Sequence, residues 1–206
     1  MEMVDIDFSK LSALQAYKIL LGSIAPRPIA WVSTISTAGI TNLAPFSFFN
    51  GVCSDPPALL FCPSTPADRE VKDTLRNIRE TRQFVVNIVT EQNVEKANQT
   101  SATLPPDESE FVAAGVTPLP SFIVKPPRVA ESPIHLECEL IQVVPVGDPR
   151  PGSGNVVIGK VVFAHVAAEA WDTRGHIDIT KTKPVARLAG NDYAPVREIF
   201  SLKRPF

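Results

Sequence analysis

The chain of 206 residues is poor in the features that mark several large protein classes. It has three cysteines, Cys53, Cys62 and Cys138, an odd set without C-x-x-C spacing. That argues against a disulfide framework and fits reduced thiols used as packing material. The formal net charge is only −2 and no run of Lys and Arg exceeds a pair. No basic field therefore exists to hold a nucleic-acid backbone or an anionic membrane surface, and neither partner is expected. The first thirty residues carry Glu2, Asp5 and Asp7, and Gly22, Pro26, Arg27 and Pro28 cut their apolar stretch. Neither a signal peptide nor a membrane span can be read there, so a cytoplasmic location is the default expectation. There is no G-x-S-x-G elbow, no H-E-x-x-H, no G-x-x-x-x-G-K-[ST] loop and no G-x-G-x-x-G after a strand. Gly152-Ser153-Gly154 precedes a strand and not a helix, which excludes a Rossmann-type site there. Internal repeats and low-complexity tracts are absent as well.

What is present is apolar material, 44% of residues against 20% charged, enough for one core of ordinary size. A single domain over residues 1–206 is expected, with its core at about 20–195 and a tail at 196–206. Twenty prolines against ten glycines divide the chain into short extended pieces and favour a β-rich architecture. Leu11, Leu14 and Leu21 fall at helical spacing after Ser9 and Ser12, which predicts a short amphipathic helix over 11–21 ending at Gly22. Residues 28–36 and 40–48 read as a β-hairpin with Gly39 at the turn. Ala58 to Cys62 reads as a buried strand. Thr65-Pro66-Ala67-Asp68 resembles a helix start, and Val71, Leu75 and Ile78 on one face carry that helix to about Thr81. Phe84 to Val89 is another strand and 91–99 a polar helix. Residues 101–133, with seven prolines, form a surface excursion of the kind that often acts as a lid. Two long strands follow, 134–146 and 156–168, joined by a Gly- and Pro-rich loop.

Few residues offer chemistry directly. His135 and Cys138 lie three apart on a strand and so point to opposite faces, which argues against a shared metal ion, and no metal site is expected. His135 shares a face with Glu137, which suits either a buried histidine–carboxylate pair or a role beside a ligand. His165 reads as a satisfied core residue. The informative stretch is residues 22–63, where Ser33, Thr34, Thr41, Asn42, Ser47, Asn50 and Ser54 place hydroxyls and amides in an otherwise apolar hairpin. Such a wall suits a flat ring with a polar rim, as in a flavin; it also suits edge strands facing water.

Taken with Lys72-Asp73-Thr74-Leu75-Arg76-Asn77-Ile78, Phe84-Val85-Val86-Asn87, Ser132-Pro133-Ile134-His135-Leu136-Glu137-Cys138 and Ile158-Gly159-Lys160-Val161-Val162, this hairpin resembles the flavin reductase-like family of FMN-binding split-barrel proteins over residues 20–195. The resemblance implies a mainly β fold with peripheral helices, a six-stranded Greek-key split β-barrel, a homodimer, and FMN held without a covalent bond near the subunit interface. It also implies that Asn42, Ala44 and Ser47 lie along the ring and that Thr34, Cys53 and Ser54 line the flavin. Lys72 and Thr74 would stand near the phosphate, with Arg27 as a second cation; a phosphate wants a cation and a hydroxyl donor together.

Where short flavin reductases carry Gly-Asp-His, this chain has Gly154-Asn155-Val156, and Asn155 supplies neither charge nor proton. Longer members are similar at the tail Ala186-Arg187-Leu188-Ala189-Gly190-Asn191-Asp192-Tyr193. That similarity implies a nicotinamide or substrate pocket bordered by His135, Asn155, Arg187 and Tyr193. The implied activity is hydride transfer from NADH or NADPH to flavin, with free flavin, a ferric complex, oxygen or a partner oxygenase as acceptor. The alternative is an FMN-binding electron-transfer protein without nicotinamide turnover. Hydride transfer needs alignment over the flavin and no protein acid or base, so no catalytic side chain is expected.

Overall fold

The structure, a computed structural model, describes residues 1–68 and 71–205. Its first helix, α1 (Ala13–Ser23), starts at a complete capping box in which Ser12 and Gln15 satisfy each other's backbone N–H groups. None of its residues is buried, although the spacing predicted an amphipathic helix. Strands β1 (Ala30–Ile35) and β2 (Thr41–Phe46) form the expected hairpin, with Gly39 at φ 84° in the turn. The extended run continues past Ser47 and Phe48 into β3 (Phe49–Ser54), which pairs with β4 (Pro57–Phe61). Then come α2 (Asp73–Thr81), β5 (Gln83–Ile88), α3 (Val94–Gln99) and α4 (Glu110–Ala113). The small hairpin of β6 (Pro118–Leu119) and β7 (Arg128–Val129) leads to the long pair β8 (Ile134–Val146) and β9 (Gly154–Val166). A short α5 (Ile179–Thr182) and the pair β10 (Val185–Arg187) and β11 (Tyr193–Pro195) follow.

The main sheet runs β2-β1-β5-β8-β9-β4-β3 and its measured pairings are antiparallel. β2 and β3, joined by two residues, lie at opposite edges, so the sheet curls until its ends approach and leaves a split. Seven strands are present where six were expected, because the second extended run divides at Ser47 and Phe48. The period-2 alternation sorts the side chains. Ala30 and Val32 turn inward with Phe46, Leu59, Phe61, Phe84 and Val157 to fill the barrel. Trp31 and Leu43 turn outward and pack with Val89, Phe111 and Val129 in a second cluster.

Helix α2 plugs the barrel through Leu75 and Ile78, which join the inner core. Two buried hydrogen bonds fix its position: Asn42 Nδ2 donates to Thr74 Oγ1 at 2.9 Å, and Asn77 Nδ2 to Thr34 Oγ1 at 3.0 Å. The helix begins later than the sequence suggested. Thr65 does not cap it; its N–H donates to Ser153 O at 2.7 Å and its hydroxyl pairs with that of Ser153, tying residue 65 to the β8–β9 loop.

The excursion at 101–133 is mostly a cover and not a lid. Buried polar groups on the outer face of the sheet hold it down: Ser33 Oγ donates to Pro127 O, and Asn87 Oδ1 accepts from Val129 N at 2.9 Å. Glu137, with no exposed surface, accepts from the N–H groups of Phe122, Ile123 and Val124 at 2.7, 2.7 and 3.0 Å. It also accepts from His165 Nε2 at 2.7 Å, so its histidine partner is His165 and not its near neighbour His135. His135 donates Nε2–H to Val129 O at 2.7 Å under the same cover, and its Nδ1 has no partner. Burial above all pushes the His135 pKa down to about 4, which keeps the ring neutral.

Gly159 faces the ring of Phe84, and a Cβ placed there would lie 2.4 Å from the ring's Cζ. Phe84 is fully buried and cannot retreat, so Gly159→Ala is expected to cost about 1–3 kcal/mol in chemical denaturation, as overpacking does. Glu137 generates a pH dependence. Burial raises its pKa, but the three N–H groups and His165 outweigh burial and bring it from 4.5 to about 2. A depressed folded pKa gives stability that is whole above pH 4.5 and is lost as pH falls towards about 2. Thermal melts across that window should fall more steeply for the wild type than for Glu137→Gln, and parallel curves would count against the assignment.

Candidate functional site

A cleft of about 250 Å³ opens between β2, α1, the start of α2 and the segment at 100–104. Its floor is the β2 edge and the residue after it, with Asn42, Ala44 and Ser47 lining it. Asn42 is buried, and its amide is turned by the bond to Thr74. Thr74 Oγ1 accepts that bond and keeps its own hydrogen for another acceptor. Ser47 Oγ likewise accepts from Arg27 Nε at 3.3 Å and keeps its hydrogen for the cleft.

At one end Lys72, Asp73 and Thr74 line the wall, which brings the positive first turn of α2 to the cleft. Lys72 is the N-cap residue of α2 and lines the cleft, so a cationic side chain comes from the same end of the helix whose dipole favours an anion. Three carboxylates, Asp68, Asp73 and Glu110, also line the cleft, and none of them is free. Asp73 pairs with Arg76, and Glu110 Oε2 accepts from Leu43 N at 2.9 Å. A cation, a hydroxyl and a helix N-terminus form the donor set that a phosphate monoester requires. The polar strand edge beyond it suits the rim of a planar ring, so the residues present fit FMN.

The cleft continues past Tyr17, Pro45, Ser47 and Ser101 into a second compartment of about 270 Å³. Ile29, Val89 and Ala97 form its apolar side. Arg187 and Tyr193 close it, the guanidinium carbon standing 4.4 Å from the centre of the tyrosine ring. The Tyr193 hydroxyl donates to Asn98 Oδ1 at 2.9 Å. These two residues come from the β10–β11 pair, which the backbone exchange between Arg27 and Arg187 ties to the start of the barrel.

Asn42, Ala44, Ser47, Lys72 and Thr74 are thus brought together in the first compartment, and Arg187 and Tyr193 in the second. The remaining expected residues lie elsewhere. Thr34 is wholly buried under α2, its hydroxyl accepting from Asn77, and lines neither compartment. Arg27 is 3% exposed, and four of its five side-chain N–H groups go to the carbonyls of Leu21, Ile24 and Leu188 and to Ser47 Oγ; it braces the cleft from behind and does not line it. Cys53 and Ser54 sit at the exposed far end of β3, the Cys53 thiol turned to Pro56 O. His135 lies under the excursion on the outer face of the sheet, away from both compartments. Asn155 is held by Arg79 Nη2 at 3.1 Å and steadies the rim from behind.

Residues that sequence reasoning missed include Tyr17 and Cys62 and the segment from Thr100 to Thr103. Burial raises the Cys62 pKa, so it is a thiol in a wall and not a nucleophile. In the sequence Tyr17 is marked only by its helical spacing between Leu14 and Leu21, a pattern that carries no ligand signal. Among the described residues no group of three or more His, Cys, Asp or Glu could hold a metal ion, and no helix is long and apolar enough to cross a membrane.

Comparison with known proteins matches residues 21–179 to the model of the flavin reductase like domain. An uncharacterized protein of Halalkalibacterium halodurans is 45% identical over 95% of this chain and 93% of its own length. Among solved structures, nitrilotriacetate monooxygenase component B from Bacillus cereus superposes with a TM-score of 0.93 at 39% identity, covering 98% of this chain and 100% of that one. The 2-nitrobenzoate 2-nitroreductase NbaA of Pseudomonas fluorescens does so with a TM-score of 0.88 at 31% identity, covering 98% and 96%.

Proposed function

Since the chain belongs to the flavin reductase-like domain family and has its split-barrel fold, we propose that it binds FMN in the first compartment and reduces it with NADH or NADPH. The observation that carries this reading is the joining, in one cleft, of Lys72, Thr74 and the start of α2 with the polar edge Asn42 to Ser47. Lys72 and Thr74 hold the phosphate. Asn42, the backbone at Ala44 and the Ser47 hydroxyl orient the ring, and Arg27 fixes the Ser47 rotamer from behind. Bound FMN supplies the hydride and electron chemistry. The protein's part is alignment and exclusion of water, since neither compartment contains a histidine.

The second compartment, bordered by Arg187 and Tyr193, is assigned to nicotinamide or substrate. A partner oxygenase is one candidate acceptor, supported by the likeness to component B of a monooxygenase. The homodimer that the resemblance implies is kept in this reading. It has physical support in exposed apolar side chains, Leu14 and Leu20 on α1, Ile24 just after it and Val52 on β3.

An anaerobic titration tests the assignment: FMN first, then NADH and NADPH in turn. Bleaching of the bound flavin's visible band by either nucleotide is the expected result. A yellow complex that neither nucleotide bleaches would assign the protein to electron transfer instead. Lys72→Ala should weaken FMN binding by about 1.5–3 kcal/mol, the range for a charge-assisted hydrogen bond. An unchanged dissociation constant in fluorescence titration would remove Lys72 from the site.

A further inference from the structure

The second compartment has a composition of its own. Among the described residues it presents one cation, Arg187, and no carboxylate. Two aromatic rings stand in its walls, Tyr17 and Tyr193, against an apolar side. Hydroxyl and amide groups come from Ser47, Ser101 and Asn98. Among the described residues the Arg187 guanidinium donates to Gly190 O and lies over the Tyr193 ring, and no other hydrogen bond of its side chain is formed. It is therefore oriented by two contacts and keeps N–H groups for a ligand.

Each element selects against something. A neutral ligand leaves the Arg187 charge unused. A small hydrophilic anion leaves the apolar side and the aromatic walls unused. A flat ring bearing one carboxylate satisfies all of them, its charge on Arg187 and its ring between the aromatic walls.

We propose that this compartment is a binding site for a planar aromatic monocarboxylate, placed beside the flavin cleft. The site shares Tyr17, Pro45, Ser47 and Ser101 with the first compartment, so a ring held there lies next to the edge assigned to the flavin. As a statement of substrate class it rests on the flavin reading, whereas the binding itself does not.

Calorimetric titration of the full chain, with and without FMN, tests it using benzoate, benzamide and cyclohexanecarboxylate. Benzoate is expected to bind one-to-one in both forms, at least about tenfold tighter than the neutral amide or the non-planar acid. Arg187→Met should weaken benzoate about tenfold, and Arg187→Lys should recover part of the loss. FMN affinity, measured in parallel on each variant, should not follow that loss. Equal binding of benzoate and benzamide by the wild type would overturn the proposal, and this comparison needs no variant to fold. Displacement of FMN by benzoate would also overturn it, because the compartment would then belong to the flavin itself. If benzoate binds as expected and FMN does not bind at all, the flavin reading fails and the carboxylate site stands.

Discussion

The position of helix α2 is the constraint on which the rest of the molecule depends. Leu75 and Ile78 drive it into the open end of the barrel, but hydrophobic burial is non-directional and would tolerate rotation or sliding. The Asn42–Thr74 and Asn77–Thr34 hydrogen bonds remove that freedom by locking adjacent turns of the helix to paired residues of β1 and β2. In a setting without water, a misregistered helix would strand several amide and hydroxyl groups at about 1–3 kcal/mol each. The Asn77 Oδ1 atom already stands without a partner in the native arrangement. The same two contacts bring the helix N-terminus and Lys72 to the end of β2, so docking of the plug and assembly of the anion end of the cleft are one event.

The sheet uses polar residues differently on its two faces. Inward, Thr34 ties strand to plug. Outward, Ser33, Asn87 and Glu137 supply hydrogen-bond partners to a proline-rich segment that has little regular structure to satisfy its own backbone. Glu137 does this most economically, because one buried carboxylate accepts three consecutive N–H groups and a histidine. The charge is tolerated because it is fully hydrogen-bonded, in line with the low pKa. This cover buries Trp31 and Leu43, is pinned to β2 by Glu110 and Ser109, and leaves the stretch from Ala44 to Ser47 lining the cleft.

A site built in this way contributes geometry more than reactivity. Its cysteine wall is a thiol and its arginine brace is committed to carbonyls and Ser47, while His135 and His165 lie on the other side of the sheet. The second compartment is closed by Arg187 and Tyr193 of the C-terminal β10–β11 pair and not by the barrel strands, so its closing wall can vary without changing the barrel.

Much of this was legible in the sequence. Alternation of apolar and polar residues determined the hairpin β1–β2, strand β5 and the long β8–β9 pair, because a period of two records which side of a strand faces the core. The Lys72-Asp73-Thr74 run and the Asn42 to Ser47 edge gave the two ends of the cleft, since their chemistry is local. The tertiary structure alone decided which polar residues face a ligand and which face one another. Thr34 and Arg27 are as polar as Thr74 and Lys72, but a partner 43 positions away captures the first and carbonyls up to 161 positions away the second. Glu137 chose His165 over His135 for the same reason: the register of β8 on β9 and the return of the excursion set the neighbours, and neither is written in the spacing along one strand.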